Sequence, residues 1–403
     1  MNTKNTIVIG ILGLAVLGLF TVGIVLAYKN DNSIVSFKKE SEKENISIPQ
    51  EDQIVTTHNQ SIEIISEQQV QKESVPHIET PSEVRALYMS AWVAATPNVR
   101  KNVLNIISNT SINSIVIDIK DATGRVSFLV DDPMLNQLGS PRNLIRDIQP
   151  FLKELHEKNI YVIGRISVFQ DDYMTKHKPE WAIKSKSTGN PWKDKKGLAF
   201  LDPTNKEVWD YTIRIAKASY EVGFDEINFD YIRFPSDGNI SDISYPTSEG
   251  TKADAIEHFF QGLYDGLKDT SITTSADLFG MTTNNTDDLG IGQVLERAFP
   301  YFDFIAPMIY PSHYPKGFHG ITNPAEKPYQ VATIAMKKGV ERAIAAGYGP
   351  EKFRPWIQDF NLGAVYTQSM VQDQIRALSE LGITSYMSWD PANKYTQGAY
   401  LIR

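Results

Sequence analysis

The sequence of 403 residues contains no cysteine. Disulfide bonds, a thiolate nucleophile and a cysteine-ligated zinc ion are therefore excluded. A chain of this length does not need disulfides, because a domain of about 300 residues buries enough apolar surface to be stable through its core. Hydrophobic residues make up 41% of the sequence and aromatic residues 10%, so the composition is that of a large globular domain.

The sequence also lacks a basic region of the kind that binds nucleic acid. The 40 Lys and Arg residues are outnumbered by 48 Asp and Glu residues, which gives a net charge of −8. Most of this excess lies in residues 30–80, which contain ten acidic and four basic residues. The remaining chain is close to balanced, so nucleic acid is not an expected partner.

The sequence also lacks the residue spacing of a metal site and the serine motif of a Ser–His–Asp hydrolase. The seven histidines are not spaced as metal ligands, so we expect no metal and no other cofactor, and a metal-dependent deacetylase is a poor alternative. There is no Gly-x-Ser-x-Gly pattern, which a Ser–His–Asp hydrolase would carry. We interpret His313, in the loop after the sixth predicted strand, as a substrate contact.

Residues 7–27 form an uncharged apolar run of 21 residues. At about 1.5 Å per residue, a helix of this length crosses a hydrocarbon core of about 30 Å. Lys4 supplies the positive charge of an export signal, but the run is longer than the apolar part of a cleaved signal. We predict that residues 1–29 are an uncleaved signal anchor that spans the cell membrane once, with a cleaved signal peptide and secretion as the alternative.

Residues 30–80 are rich in Glu, Ser, Gln, Asn and Lys, and no aromatic residue follows Phe37 in this segment. Such a composition cannot bury enough apolar surface to offset the entropy lost on ordering. We predict a disordered polar stalk whose end is marked by Pro76 and Pro81. The folded domain then spans residues 81–403.

From residue 84 onward, strand patterns alternate with helix patterns. The predicted strands are residues 84–93, 114–121, 160–170, 226–234, 272–279, 303–310, 354–360 and 383–389. The helix patterns between them include residues 144–158, 206–222, 253–267 and 370–381. Eight strands separated by helices predict an α/β fold, the (β/α)8 TIM barrel, with a last helix that is short or absent. A doubly wound open sheet is the alternative, but it would need a glycine-rich phosphate turn after the first strand.

The candidate site follows from strand alternation, because TIM-barrel enzymes place their sites at the C-terminal ends of the strands. In the fourth strand Ile227 and Phe229 should face the helices, so Asn228 and Asp230 face the barrel axis, with Asp230 nearest the mouth. The same alternation selects inward residues on six other strands: Tyr88, Asp118, Lys120, Asp277, Tyr310, Gln358 and Trp389.

Two carboxyl groups at such a mouth indicate glycoside hydrolysis, which needs one as acid and one as nucleophile or base. Asp230 and Asp277 lie on adjacent strands about 4.8 Å apart, so the roughly 5–5.5 Å carboxyl separation of a retaining mechanism is within reach. Arg233 would hold one carboxylate ionised. Desolvation near Trp389 or Phe279 would keep the other protonated.

Several of these residues have plainer alternatives. Asp230 could be a structural carboxylate paired with Arg233 or Lys120, and Asp277 could cap the following helix. Asp118 could pair with Lys120 or contact sugar hydroxyls. The remaining mouth residues are expected to bind substrate, and this set comprises Tyr88, Asp118, Lys120, Arg233, Tyr310, His313, Gln358 and Trp389.

The aromatic residues of the long connection 171–206 have two possible roles. Trp181, Trp192 and Phe200 could form platforms on which sugar rings stack. Packing of the loop by these hydrophobic side chains is the somewhat stronger expectation for each tryptophan taken singly.

Six segments in order resemble the family known as the putative glycoside hydrolase domain, long catalogued as a domain of unknown function. They are residues 116–121 (VIDIKD), 228–235 (NFDYIRFP), 275–280 (SADLFG), 306–311 (APMIYP), 356–360 (WIQDF) and 388–391 (SWDP). The resemblance covers residues 82–400 and implies a TIM barrel distantly similar to the alpha-amylase superfamily. That superfamily has an Asp nucleophile after strand four and a Glu acid after strand five, which would make Asp230 the nucleophile and Asp277 the acid. Two departures are an Asp in place of the Glu, and an Arg three residues after the strand-four Asp instead of two before it.

Together these patterns predict an extracytoplasmic glycosidase that cleaves a polysaccharide, for which the cell envelope is one source. The expected mechanism uses two carboxylates and is retaining. The alternative is a catalytically silent carbohydrate-binding barrel displayed on a membrane stalk. Because Asp230 and Asp277 are both present, the sequence favours the enzyme.

Overall fold

The computed structural model describes residues 76–245 and 250–400. Eight parallel strands close into a barrel in chain order, and the eighth strand pairs with the first. The strands are β1 (Arg85–Met89), β2 (Ser114–Lys120), β3 (Tyr161–Ser167), β4 (Glu226–Asp230), β5 (Thr273–Phe279), β6 (Phe304–Met308), β7 (Trp356–Gln358) and β8 (Tyr386–Trp389). The prediction of a TIM barrel is confirmed.

Helices follow the first seven strands and cover the outside of the barrel. The principal ones are α1 (Pro97–Ser108), α2 (Ile148–Glu157), α3 (Lys206–Val222), α4 (Lys252–Leu267), α5 (Leu295–Ala298), α6 (Pro328–Ala345) and α7 (Gln368–Ser379). After β8 the described chain forms only a 3-10 turn at Gln397–Ala399. This agrees with the expectation of a short or absent last helix.

The predicted membrane segment, residues 7–27, and most of the predicted stalk lie outside the described residues. No helix within residues 76–245 and 250–400 is long and apolar enough to cross a bilayer. Residues 76–80, assigned from composition to the stalk, pack on the barrel: the Ile78 amide donates to Asp225 (2.9 Å), and the Thr80 and Tyr161 hydroxyls are 3.0 Å apart. These five residues therefore belong with the barrel, because tertiary partners fix them where composition alone predicts disorder.

The first strand is shorter than the predicted residues 84–93. It ends at Met89, and the Ser90 side chain then accepts a hydrogen bond from the Val93 amide (3.3 Å), which starts a helical turn at Ala91–Ala94. A serine that caps a helix competes with strand continuation at this point. As a result Trp92 lies on the loop after β1 with 58% of its surface exposed.

Alternation along the strands separates two apolar layers. Outward side chains such as Ile227 and Phe229 join the large core between barrel and helices, while inward ones such as Ile163 and Met387 fill the barrel axis. At the N-terminal end of the axis, buried Glu226 pairs with buried Arg354 and also accepts hydrogen bonds from Ser275 (2.7 Å) and Tyr161 (3.0 Å). This floor closes the barrel from below, so polar chemistry is confined to the C-terminal mouth.

One strand breaks the alternation. The register of β2 against β3 shifts between Asp118, which pairs with Arg165, and Lys120, which pairs with Ile166. An extra residue in one strand is a β-bulge, and it reverses the facing of the residues that follow. Asp118 consequently faces the axis, whereas Lys120 turns outward.

Candidate active site

Arg165 lies at the centre of the barrel mouth and joins two carboxylates. Its Nη1 donates to Asp118 Oδ1 (2.7 Å), and its Nε donates to Asp230 Oδ2 (3.0 Å), to which Nη2 also donates. Burial lowers the pKa of Arg165, but the charges of Asp230 and Asp118 outweigh this effect and raise the pKa well above its ordinary value. The guanidinium is therefore a fixed positive charge on the barrel axis.

Asp230 is the last residue of β4 and faces inward, as the alternation predicts. Besides the hydrogen bonds from Arg165, it accepts one on Oδ1 from the Tyr231 amide (2.5 Å). Tyr231 has a φ of 54°, so the chain turns sharply straight after the carboxylate. Hydrogen-bond donors on both oxygens hold this carboxyl group in one orientation.

Asp277, on the neighbouring strand β5, is held in a different way. Its Oδ1 accepts hydrogen bonds from the side chains of Asn228 and Trp356, each at 2.8 Å. Within the described residues no donor lies within hydrogen-bonding distance of Oδ2, whose ion-pair neighbour is Arg165 Nε at 4.0 Å. Burial, and then the negative charge of Asp230, raise the pKa of Asp277 well above its ordinary value.

The two carboxyl groups are close enough to act on one bond. Asp230 Oδ2 and Asp277 Oδ2 lie 3.0 and 4.0 Å from the same nitrogen, Arg165 Nε, so they are no more than 7.0 Å apart. Glycosidase carboxyl pairs are separated by about 5–5.5 Å in retaining enzymes and about 6.5–9.5 Å in inverting enzymes. The pair is thus compatible with either outcome, and its members have different donors: Arg165 hydrogen-bonds Asp230, whereas Asp277 accepts from Asn228 and Trp356.

Asp118 supports this centre without an available oxygen of its own. Its Oδ1 accepts from Arg165, and its Oδ2 accepts from the Tyr88 hydroxyl (2.6 Å). Burial raises the pKa of Asp118, while Arg165 and Tyr88 oppose the increase. Because both oxygens are already engaged, Asp118 is placed to orient Arg165, and Asp277 is the better proton donor.

Aromatic rings form the wall of the mouth on the side of β1, β7 and β8. Trp389 stacks on Tyr88 with ring centres 3.9 Å apart and meets Trp356 edge to face at 5.6 Å. The Arg165 guanidinium lies 5.1 Å from the Trp389 ring centre. These apolar faces exclude water beside charged groups, and such faces are suited to sugar rings.

Tyr310, His313 and Gln358 lie together on the adjoining part of the rim, after β6 and on β7. His313 is exposed and contacts the buried Tyr310 ring edge to face at 5.0 Å. Gln358 is fully buried and accepts hydrogen bonds from the Ser312 amide (3.1 Å) and hydroxyl (2.8 Å). Gln358 thus holds the loop that carries His313, whereas Tyr310 and His313 are the members placed to meet a ligand.

Two predicted site residues lie outside this arrangement. Lys120 is 1% exposed and pairs with Asp171 at 2.8 Å, because the bulge turns it toward helix α3, where it also faces Tyr211. Arg233 makes no ion pair with Asp230; its guanidinium lies over the Phe279 ring at 4.6 Å and donates to the Phe234 carbonyl oxygen (3.1 Å). The cation expected from Arg233 is supplied by Arg165.

Arg165 and Trp356 are the functional residues that the sequence analysis missed. Both occupy inward positions on their strands, as Ile163 and Gln358 do on the same strands. A lone arginine in the apolar segment 160–170 carried the signal, since a charge inside a barrel strand requires a partner.

The tryptophans of the connection between β3 and α3 are packing residues. Trp181 is 2% exposed and Trp192 is 3% exposed, and their indole N–H groups donate to Glu207 (2.9 Å) and to the Asn239 carbonyl oxygen (3.0 Å). The stronger of the two sequence interpretations, loop packing, is therefore the one the structure shows. In the part of the chain that the structure describes, no group of three or more His, Asp or Glu side chains is arranged to hold a metal ion.

A parallel barrel with two adjacent carboxyl groups at its mouth is an arrangement that suits glycoside hydrolysis. The family model described as "putative glycosyl hydrolase domain" matches residues 86–395. The chain belongs to this family, as the sequence resemblance implies, and is a glycoside hydrolase at the level of the family.

Among the solved structures that the chain matches, one with a TM-score above 0.5 shows the same fold. The glycoside hydrolase domain of PgaB (BpsB) from Bordetella bronchiseptica is 11% identical, with 80% of this chain and 100% of that chain covered and a TM-score of 0.58. A hypothetical protein from Ruminiclostridium thermocellum is 35% identical over 51% of this chain and 98% of that chain (TM-score 0.44). The catalytic domain of a β-amylase from Paenibacillus polymyxa is 11% identical over 79% and 95% (TM-score 0.47). No curated protein matches the chain.

Proposed function

We propose that this protein is an extracytoplasmic glycosidase that cleaves a polysaccharide by a retaining mechanism, with Asp230 as nucleophile and Asp277 as acid and base. Residues 7–27 anchor it in the cell membrane, and the glycan of the cell envelope is the substrate within closest reach. The observation that carries the proposal is the placement of Arg165, which hydrogen-bonds Asp230 and stands 4.0 Å from Asp277.

The first step uses the asymmetry of the two carboxyl groups. Oδ1 of Asp277 already accepts two N–H donors, so its proton resides on Oδ2, which is free to transfer it to the glycosidic oxygen. As that bond breaks, the Asp230 carboxylate attacks the anomeric carbon and forms a glycosyl ester. The departing alcohol carries the proton away, and Asp277 is left ionised.

The second step follows from the electrostatic coupling between the pair. The charge of Asp230 raises the pKa of Asp277, and that charge disappears when Asp230 becomes an ester. The pKa of Asp277 then falls, so its carboxylate persists long enough to take a proton from water while the water oxygen attacks the anomeric carbon. The ester bond breaks, Asp230 regains its charge, and Asp277 is protonated again.

The aromatic wall supports a carbohydrate substrate. Trp389, the partly exposed member of the wall, presents apolar surface next to the reacting carboxyls, which favours the face of a pyranose ring, and buried Tyr88 and Trp356 pack behind it. Tyr310 and His313 would contact the hydroxyl groups of the pyranose from the adjoining part of the rim. A catalytically silent carbohydrate-binding barrel would use the same wall, and it is the outcome that the following experiment separates.

The test is hydrolysis of a panel of polysaccharides by the wild type and by D230N. Release of reducing ends by the wild type and its loss in D230N is the expected result, and proton NMR of the first product should show the anomeric configuration of the substrate. A product of inverted configuration would show that Asp230 acts as the general base and not as the nucleophile. Glycan binding without turnover by either protein would identify the silent carbohydrate-binding barrel.

A further inference from the structure

Trp92 is the exposed tryptophan of the barrel mouth. All six tryptophans of the sequence lie in the described residues, and Trp181, Trp192 and Trp356 are at most 3% exposed, whereas Trp92 is 58% exposed. It follows β1 directly, so it lies at the same end of the barrel as the carboxyl groups. A large apolar side chain that is exposed at the rim of a substrate site indicates ligand binding more strongly than one exposed elsewhere on the surface.

The Trp92 indole is backed by a cation on one side. The Arg142 guanidinium, from the loop after β2, lies 5.2 Å from the ring centre. Nε and Nη2 of Arg142 are shielded from solvent and, within the described residues, make no hydrogen bond. The guanidinium therefore contacts the indole through a cation–π interaction, which favours one orientation of the ring.

The backbone that carries Trp92 is fixed as well. The Trp92 carbonyl oxygen accepts from the Thr96 hydroxyl (2.9 Å), and the Ser90 amide donates to Asn393 (3.0 Å) in the loop after β8. A platform held on its backbone and on one face loses little entropy when a ligand covers the remaining face.

The platform lies close to the active site, just beyond the end of β1. Tyr88, whose hydroxyl binds Asp118, precedes Trp92 by four residues, and even an extended chain of that length spans only about 14 Å. A glycan that places one sugar between Asp230 and Asp277 reaches Trp92 within a few sugar residues. Trp92 also lies on the side of the mouth where Tyr88 and Trp389 already form an aromatic wall.

We propose that Trp92, backed by Arg142, is a distal subsite that stacks on a pyranose ring of the polysaccharide chain. This inference rests on the proposed glycosidase function and deepens it, because a distal subsite selects chains of several sugars over short glycosides. Trp92 takes no part in bond cleavage, so its contribution is to binding of long substrates.

The experiment compares W92A and W92F with the wild type, with Y264A as the matched control. Tyr264 is also an exposed aromatic residue, 43% exposed, but it lies on helix α4. Binding of cellohexaose, chitohexaose, maltohexaose and xylohexaose, and of the corresponding disaccharides, is measured by calorimetry. For any hexasaccharide bound, W92A should raise Kd on the order of three- to tenfold, with the disaccharide unchanged. W92F should retain most of the affinity, and Y264A all of it.

The outcomes separate the subsite from the catalytic proposal. Equal weakening of hexasaccharide and disaccharide in W92A, or no weakening of either, would overturn the subsite while leaving hydrolysis untouched. Loss of self-association in W92A, measured by sedimentation, with unchanged glycan affinity would assign Trp92 to contact between copies of the chain and would also overturn it. Length-dependent binding through Trp92 without hydrolysis would support the subsite and contradict the glycosidase. Binding of none of the four hexasaccharides by the wild type would count against both proposals.

Discussion

Arg165 donates two hydrogen bonds to a single oxygen of Asp230, one from Nε at 3.0 Å and one from Nη2. Its remaining amine, Nη1, is committed to Asp118. The Arg165 guanidinium therefore fixes the position of Asp230, the residue that we assign as nucleophile. The contact also explains why two acidic side chains tolerate the same narrow mouth.

Replacing Asp230 by Asn removes the attacking carboxylate but keeps the shape of the side chain. We expect kcat to fall at least about 10³-fold, since no other described oxygen shares its placement. D210N is the matched control, because Asp210 is an exposed carboxylate on α3 that pairs with Arg214. Reducing-end assays on both variants provide the measurement, and comparable activity in D230N and the wild type would remove Asp230 from the mechanism.

Replacing Asp277 by Asn should have an effect that depends on the leaving group. The acid is needed only when the departing oxygen requires a proton, so kcat should fall about 10²- to 10⁴-fold for alkyl glycosides and oligosaccharides. Dinitrophenyl glycosides, whose phenolate leaves unprotonated, should form the glycosyl ester at close to the wild-type rate. A uniform loss across leaving groups in burst-phase kinetics would contradict the role of acid.

The pH dependence of kcat follows from the direction in which the pKa of Asp277 is shifted. The acid acts while protonated, so activity is present below its pKa and is lost as pH rises through it. Because burial and the charge of Asp230 raise that pKa, the alkaline limb should lie above the range of an ordinary aspartate. W356F removes an N–H donor that favours the ionised form, so it should move this limb to higher pH, with kcat at the optimum reduced by about tenfold or less.

A second tryptophan provides the comparison for that shift. Trp209 also donates a hydrogen bond through its indole, to the Pro203 carbonyl oxygen (2.7 Å), but on helix α3. W209F should leave the pH profile in place. A limb that stays fixed in W356F, or one that moves to lower pH, would show that Asp277 does not govern it.

The ion pair of the barrel floor should govern stability instead of catalysis. Arg354 and Glu226 are both fully buried, so R354M leaves a charge in the core without its partner. Such a change costs about 3–5 kcal/mol in the free energy of unfolding. R214M, which removes a half-exposed arginine that pairs with Asp210 and Asp132, should cost about 1 kcal/mol or less. Urea unfolding of the two variants measures the difference, and equal midpoints would contradict the assignment.

Much of the barrel could be predicted because strand alternation and helix limits are local properties. Residues 206–222 form helix α3 with the predicted bounds, since Asn205 caps its start and Gly223, with a φ of 126°, ends it. Alternation in β4 likewise predicts that Asp230 lies at the mouth, without any knowledge of its contact with Arg165. The adjacency of the fourth and fifth strands predicts the pairing of Asp230 with Asp277, and the family resemblance adds the roles of nucleophile and acid.

The sequence predictions fail where the direction of a side chain depends on residues of the neighbouring strands. Arg165 lies in a segment that is otherwise apolar, and its role emerges only when Asp118 and Asp230 converge on it from the strands on either side. The outward turn of Lys120 depends on the register of β2 against β3, which one strand's sequence does not encode. Ser90 ended the first strand early because its side chain caps the next turn, and this left Trp92 exposed at the rim.

The bulge in β2 sets the sign of the electric field inside the mouth. A regular strand would carry the Lys120 ammonium to the axis beside Arg165, where the two cations would balance the carboxyl groups of Asp118 and Asp230. With Lys120 turned outward against Asp171, the carboxyl groups of Asp118 and Asp230 face one guanidinium while Asp277 holds its proton. A sugar ring that gathers positive charge on its way to the transition state meets a negative potential there. One additional residue in one strand thus decides which charge the barrel can stabilise.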